Sequence, residues 1–181
     1  MTRRFEYTGL LAAVVLLVAA PAFALGSGLE AISVHTLTSD QQAHLDKGDV
    51  LFSRGDFGSA RKEYAVAADL ARGEGQVPVK ALRRIANTQY YEGRYQSAGL
   101  TLLKLAKEAA EYGDIVTEAW AVADAAWVAG IAGDKIDVDR RVAQLERLLT
   151  SPYLPDDVRE EIRTKRLGDY PNNPVALNNQ P

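Results

Sequence analysis

Residues 48–67 read GDVLFSRGDFGSARKEYAVA, and this stretch decides the fold. It has a small residue at Gly48, a glycine at Gly55, an alanine at Ala60 and an aromatic residue at Tyr64. Residues three or four apart lie on one side of a helix, and a glycine between two helix-length segments is typical of a turn. The stretch therefore predicts two helices that meet at small residues, where their axes can approach closely.

The same spacing recurs further along the chain. A second copy consists of Ala86, Gly93, Tyr95, Ala98 and Leu102, and a third, weaker copy consists of Ala126, Gly133, Val138 and Val142. The turn glycines recur at intervals of 38 and 40 residues. A fixed period of this kind indicates a repeat protein. We expect three helix pairs, over residues 39–75, 78–112 and 114–150.

The segments between the glycines have the length and composition of helices. Ser39 and Asp40 are favourable caps for the first helix and Asp56 for the second, and Pro78 suits a first helical turn. No segment shows the alternating β-branched pattern of strands. The predicted fold class is all-α.

The repeated pattern resembles the tetratricopeptide repeat, a helix-turn-helix unit of about 34 residues. The chain departs from that family at His44, Lys47 and Arg72, which stand where the motif has tryptophan, leucine and proline. The resemblance implies antiparallel helix pairs stacked as a right-handed solenoid over residues 39–150. It also makes His44 a large core residue, so we expect a buried structural histidine.

Segments on either side of the pairs have other roles. A repeat stack ends in an apolar face that needs a cap, and residues 155–167 form a predicted capping helix with Val158 and Ile162 on one apolar stripe. Residues 25–38 are a predicted joining stretch. Residues 168–181, which are rich in asparagine and proline, are a predicted irregular tail.

Residues 1–24 have the features of a secretory signal peptide. The chain starts with basic Arg3–Arg4, residues 9–20 are apolar, and Ala22–Phe23–Ala24 has small residues at both positions that a signal peptidase reads. Pro21 ends the apolar run, which is therefore shorter than the about 20 apolar residues that a membrane anchor needs. We expect cleavage after this site, with no stable membrane insertion afterwards. Because the alanine-rich run is typical of bacteria, the expected location is periplasmic or extracellular.

Residue types that carry chemistry are scarce. The chain has no cysteine, and its two histidines, His35 and His44, lie outside any metal-ligand spacing. Residues 73–75 lack the lysine of a phosphate loop. The acids near Asp134 lack the terminal glutamate of a calcium loop, so we expect these acids to cap a helix. We therefore predict no enzyme activity, catalytic residue, metal site or cofactor. The net charge of −3 does not favour nucleic acid as a partner.

The family resemblance also implies where a partner binds, because the first helix of each pair lines the concave face. The main implied groove residues are Asp49 and Phe52 from the first pair, Arg83, Asn87 and Tyr90 from the second, and Trp120 and Trp127 from the third. Leu45 and Ala123 have the same spacing, and Arg84, Tyr91 and Asp124 lie at the margin. Aromatic residues and arginine are typical of binding hot spots. Two placements remain open for Trp120 and Trp127: they line the groove, or they fill core space beside alanines.

The predicted function is that of an exported adaptor or scaffold in the cell envelope, which binds a protein or an extended peptide. The alternative is a structural subunit that self-associates through the ends of its repeat stack. Concentration-dependent mass separates these two hypotheses.

Overall fold

The computed structural model describes residues 37–168, which form helices joined by short turns, with no strand among them. The predicted signal peptide, most of the joining stretch and most of the tail lie outside this range. The helices are α1 (Ser39–Ser53), α2 (Phe57–Gly73), α3 (Val79–Tyr91), α4 (Tyr95–Glu111), α5 (Ile115–Ile131), α6 (Lys135–Leu149) and α7 (Asp156–Ile162), followed by a π-helical turn (Arg163–Leu167). The predicted all-α class is confirmed.

Each helix from α1 to α5 packs against the next one along the chain. Because the connections are short, successive helices run in opposite directions and form consecutive pairs. Helix α5 is the centre of the core, and it is buried along most of its length between α4, α6 and the C-terminal segment. This central position explains why α5 is almost entirely apolar, since a helix that is covered on all sides has no solvated face.

The turn after α1 shows how the glycines end the helices. Gly55 has a φ of 78°, its N–H donates to the Phe52 carbonyl, and the Asp56 N–H donates to the Leu51 carbonyl. This is the Schellman arrangement, which a glycine adopts at little steric cost. Asp56 then caps α2 by accepting a hydrogen bond from the Ser59 N–H, as predicted.

The cap of α1 differs from the prediction. Thr38, rather than Ser39 or Asp40, accepts the capping hydrogen bond, from the Gln41 N–H over 3.3 Å. The reason is the backbone: Thr38 has the extended φ of −70° and ψ of 160° of a cap, whereas Ser39 already belongs to the helix. Asp134 caps α6, which confirms the capping role predicted for this acid.

The small residues of the repeated pattern lie where helices meet. A Cβ atom added at Gly48 would lie 2.3 Å from Cε1 of the buried Tyr64, so the ring takes the space that the glycine leaves. Ala60, Ala86 and Ala98 are completely buried at the corresponding contacts. These contacts hold the two helices of a pair together.

His44 is not buried, contrary to the prediction. Its side chain is 35% exposed, and its Nδ1 lies 2.8 Å from the Glu63 carboxylate, which also pairs with Lys47 at 2.6 Å. Leu45, the next residue, points into the core and is 1% exposed. The core position of α1 therefore belongs to Leu45, and His44 joins α1 to α2 at the surface.

The C-terminal segment packs against α5 and α6. Val158 and Ile162 of α7 are buried in the same apolar cluster as Trp120 of α5, together with Leu149 and Leu154. The π-helical turn that follows has no buried residue. The apolar stripe predicted for residues 158 and 162 thus holds α7 against α5.

Candidate functional site

The seven predicted groove residues all lie on the first helices of the three pairs. They are Asp49 and Phe52 on α1, Arg83, Asn87 and Tyr90 on α3, and Trp120 and Trp127 on α5. Asp49 and Arg83 form hydrogen bonds to neighbouring helices, and both tryptophans contact Arg166, so these interactions join α1, α3, α5 and the π-helical turn to one another.

Asp49 connects α1 to α3. Its two carboxylate oxygens accept hydrogen bonds from Arg84 Nε at 2.7 Å and Arg84 Nη2 at 2.8 Å, and Oδ1 also accepts one from the Tyr64 hydroxyl at 2.8 Å. A two-point bond of this kind fixes the planes of both side chains. Burial and the bond to Asp49 raise the pKa of Tyr64, so its hydroxyl stays a donor. Burial alone would lower the pKa of Arg84, but Asp49 raises it.

Arg83 connects α3 to α5. Its Nη2 donates to Asp124 Oδ2 over 2.6 Å, and Asp124 is completely buried. Asp124 Oδ1 accepts a second hydrogen bond, from Arg166 Nε at 2.9 Å. Burial lowers the pKa of Arg83, Asp124 raises it, and the nearby positive charge of Arg166 lowers it further. We call the set Asp49–Arg84, Arg83–Asp124 and Asp124–Arg166 the arginine–carboxylate ladder.

Arg166 also contacts both tryptophans. Its guanidinium carbon lies 5.6 Å from the centre of the Trp120 ring and 5.4 Å from that of Trp127, which is the range of a cation–π interaction. Trp120 is 2% exposed and belongs to the core cluster, whereas Trp127 is only partly buried. Of the two open placements, core filling describes Trp120, and Trp127 lies at the edge of the core. The buried Trp120 Nε1 has no acceptor within residues 37–168.

Phe52 and Tyr90 lie in a cluster of five aromatic rings near the turns that end α1 and α3. The rings contact one another at centre-to-centre distances of 5.2 to 6.4 Å, and the members are Phe52, Phe57, Tyr90, Tyr91 and Tyr95. Tyr91 is 49% exposed, so the cluster presents an aromatic edge to solvent. Asn87, one turn before Tyr91, is partly buried and makes no side-chain hydrogen bond within the described part of the chain.

Arg84 and Asp124, which the resemblance places only at the margin of the groove, lie at the centre of this arrangement, and Arg166 falls outside the predicted groove. Asp124 carries a signal in the sequence, because it is a lone acid in an alanine-rich stretch and shares a helix face with Trp120 and Trp127. The role of Arg166 has no local signal, since it lies 42 residues from Asp124 in the chain.

A separate cleft of about 270 Å³ lies between α4 and α6. Ala125 and Ala129 of α5 line it, as does Ala132, which directly follows that helix. Leu100 of α4, which is 68% exposed, lies at its side. Small side chains leave this space open, because α4 and α6 both pack on α5 and not closely on each other. The cleft has an apolar lining and a charged rim that includes Asp137 and Arg140.

The two acids of α5 differ in their surroundings. Burial raises the pKa of Glu118. Asp124 is ion-paired instead, since both of its carboxylate oxygens accept hydrogen bonds from arginines. Within residues 37–168, histidine and acidic side chains form no group of three or more that could hold a metal ion. No helix in this range is both long enough and apolar enough to cross a membrane.

Comparisons of the chain with protein-family models, with curated proteins and with solved structures give no match.

Proposed function

We propose that this protein is an exported adaptor, without enzyme activity, that binds a protein or an extended peptide in the cell envelope. In this proposal the signal peptide is removed after Ala24, and the three helix pairs stack as a right-handed solenoid similar to tetratricopeptide repeats. The binding surface is the face shared by α1, α3 and α5.

The arginine–carboxylate ladder is the observation that carries this proposal. Its bonds run from α1 to α3, from α3 to α5 and from α5 to the π-helical turn, so they link the first helices without using the second helices. Helices that are linked in this way form one continuous surface with fixed side-chain positions. Preorganised side chains lower the entropy that binding costs, which suits recognition of an extended partner.

The part of this surface that is open to a partner lies on α3. Asn87 has both a donor and an acceptor to offer a peptide backbone, and Tyr90 and Tyr91 have aromatic rings with polar hydroxyls. Rings of this kind are frequent in the centres of protein interfaces, where they bury apolar area at a low entropic cost. A protein or peptide fits these groups better than a small charged ligand does.

Capture from an envelope extract tests the proposal. The mature protein, residues 25–181, would be immobilised beside a variant with Asn87→Ala and Tyr90→Ala and a control with Arg147→Ala, an exposed arginine of α6. We expect one or more envelope proteins to bind the unchanged protein and the control, and to be lost from the double variant. Thermal melts would check that all three chains are folded. Equal capture by all three, or no specific capture at all, would contradict the proposal.

Self-association is a second candidate, favoured by large apolar side chains at the surface. Leu100 is 68% exposed, Ile136 is 73% exposed and Tyr153 is 82% exposed. Light scattering over a range of protein concentrations separates the candidates. A mass that doubles with concentration and returns to that of a monomer in a Leu100→Ser variant would favour the structural subunit.

A further inference from the structure

Trp120, Asp124 and Trp127 form a three-sided enclosure around the Arg166 guanidinium, which we call the tryptophan cage. Residues four and seven positions apart lie on one stripe of a helix, so the carboxylate lies between the two rings along α5. The guanidinium carbon is almost equally far from the two ring centres, at 5.6 and 5.4 Å, and Asp124 accepts its Nε hydrogen at 2.9 Å. Two aromatic faces and a buried carboxylate are the chemistry that recognises an arginine side chain.

The segment that brings Arg166 into the cage is less deeply buried than α7, the helix before it. Val158 and Ile162 of α7 are buried in the core, whereas none of the residues Arg163–Leu167 is buried. Leu167 is partly buried against two apolar clusters, and Arg166 contacts Asp124 and both tryptophan rings, so these side chains hold the turn against α5. Because the turn has no fully buried side chain and α7 has two, separating the turn from α5 costs less free energy than separating α7 does.

We propose that the tryptophan cage is a binding site for an arginine side chain, that Arg166 occupies it from within the chain, and that an arginine of the partner replaces Arg166 on binding. This inference rests on the proposed function for the existence of a partner, but not for the chemistry of the cage. The C-terminal segment then acts as a cover over the α5 part of the surface, and the α3 part stays open beside it.

The chemistry of the cage favours arginine over lysine. A guanidinium is planar, it stacks on an aromatic ring with less loss of hydration than an ammonium, and its N–H groups form a fork that matches a carboxylate. The intramolecular Arg166 has a high effective concentration, so an arginine from outside must compete with it. Removal of Arg166 should therefore increase the affinity for an external arginine.

A fluorescence titration tests this inference directly, because both tryptophans of the chain belong to the cage. The probes are three short unstructured peptides that differ at one position, which is arginine, lysine or citrulline. The proteins are the mature chain, the Arg166→Ala variant and a matched control, Arg163→Ala, which removes an exposed arginine from the same turn. We expect the arginine peptide to bind Arg166→Ala roughly tenfold or more tightly than it binds the other two proteins. The citrulline peptide should not bind.

A folded Arg166→Ala protein that binds the arginine peptide no better than the unchanged chain would overturn the inference, and so would equal binding of the lysine peptide. If Arg166→Ala does not fold, Arg166→Lys keeps a cation beside Asp124, and the arginine peptide should still bind it more tightly than it binds the unchanged chain. Partner capture gives an independent result. A partner that is captured equally by the Arg166→Ala and Arg163→Ala proteins removes the cage from its binding site but leaves the adaptor function intact. Binding of the arginine peptide without any captured partner would support the cage and contradict the adaptor function.

Discussion

Arg83 of α3 donates a hydrogen bond over 2.6 Å to Asp124 of α5, and this carboxylate is completely buried between two arginines. Loss of one member of a buried ion pair leaves an uncompensated charge in the interior. We therefore expect Asp124→Leu to lower the free energy of unfolding by about 3–5 kcal/mol in urea titrations. Replacing both partners, as Arg83→Met with Asp124→Leu, should recover part of this loss.

The matched control is Asp69→Leu, which breaks an exposed pair with Arg72 and should change stability by about 0–1 kcal/mol. If Asp124→Leu and Asp69→Leu had equal effects, the buried pair would not hold α3 to α5.

Gly48 and Gly99 are both inside helices, but only Gly48 faces a ring. A Cβ at position 48 would lie 2.3 Å from Tyr64 Cε1, whereas a Cβ at position 99 meets no heavy atom within 4 Å. The Tyr64 ring cannot move easily, because its hydroxyl is bonded to Asp49. Gly48→Ala should destabilise the fold by about 1–3 kcal/mol. Gly99→Ala should stabilise it by up to about 1 kcal/mol through helix propensity. Thermal melts of both variants check the contact, and a neutral Gly48→Ala would argue against it.

The two tryptophans should differ in what their removal does. Trp120 is 2% exposed in the core, so Trp120→Ala should lower the free energy of unfolding by about 3–5 kcal/mol. Trp127 is partly buried at the edge, and Trp127→Ala should have a smaller effect on stability. If a partner contacts the cage, the same change should weaken its binding by about 2 kcal/mol or more. Melts measured beside a binding assay separate these effects. An equally large loss of stability in both variants, with binding unchanged, would remove Trp127 from the binding site.

Glu63 should make stability depend on acid pH. Hydrogen bonds from Lys47 and from His44 lower the pKa of Glu63 from its ordinary value of 4.5. A carboxylate whose pKa is lowered on folding stabilises the protein at pH values above the unfolded pKa. This contribution is lost as the pH falls below about 4.5, toward the lowered folded value. Melting temperatures measured from neutral to acid pH should fall less steeply in Glu63→Gln than in the unchanged protein. Glu111→Gln, at an exposed glutamate, is the control and should follow the unchanged curve.

Export is tested by intact mass. Because small residues flank the predicted cleavage site, the protein recovered from a bacterial periplasm or medium should start at Leu25. A product that retains residues 1–24 and fractionates with membranes would show that this segment is an uncleaved anchor.

The sequence by itself determined the helices and the way in which each pair is held together. The glycine of a Schellman turn, the cap at Asp56 and the small residues at Gly48 and Ala60 act over a few residues, or across one short turn. Their spacing is therefore visible in the chain. The burial of Val158 and Ile162 is visible for the same reason, because a helix with one apolar stripe must cover another surface.

Only the tertiary structure decided which charged residue meets which. Arg83 and Asp124 are 41 residues apart in sequence, and Asp124 and Arg166 are 42 apart. Many arginines could in principle pair with this carboxylate, and the choice depends on how α3, α5 and the π-helical turn pack together. The same packing separates Trp120 from Trp127, although both lie on one helix face. α7 and its apolar cluster cover Trp120, and Trp127 lies beyond them, because burial depends on the neighbouring elements and not on helical spacing alone.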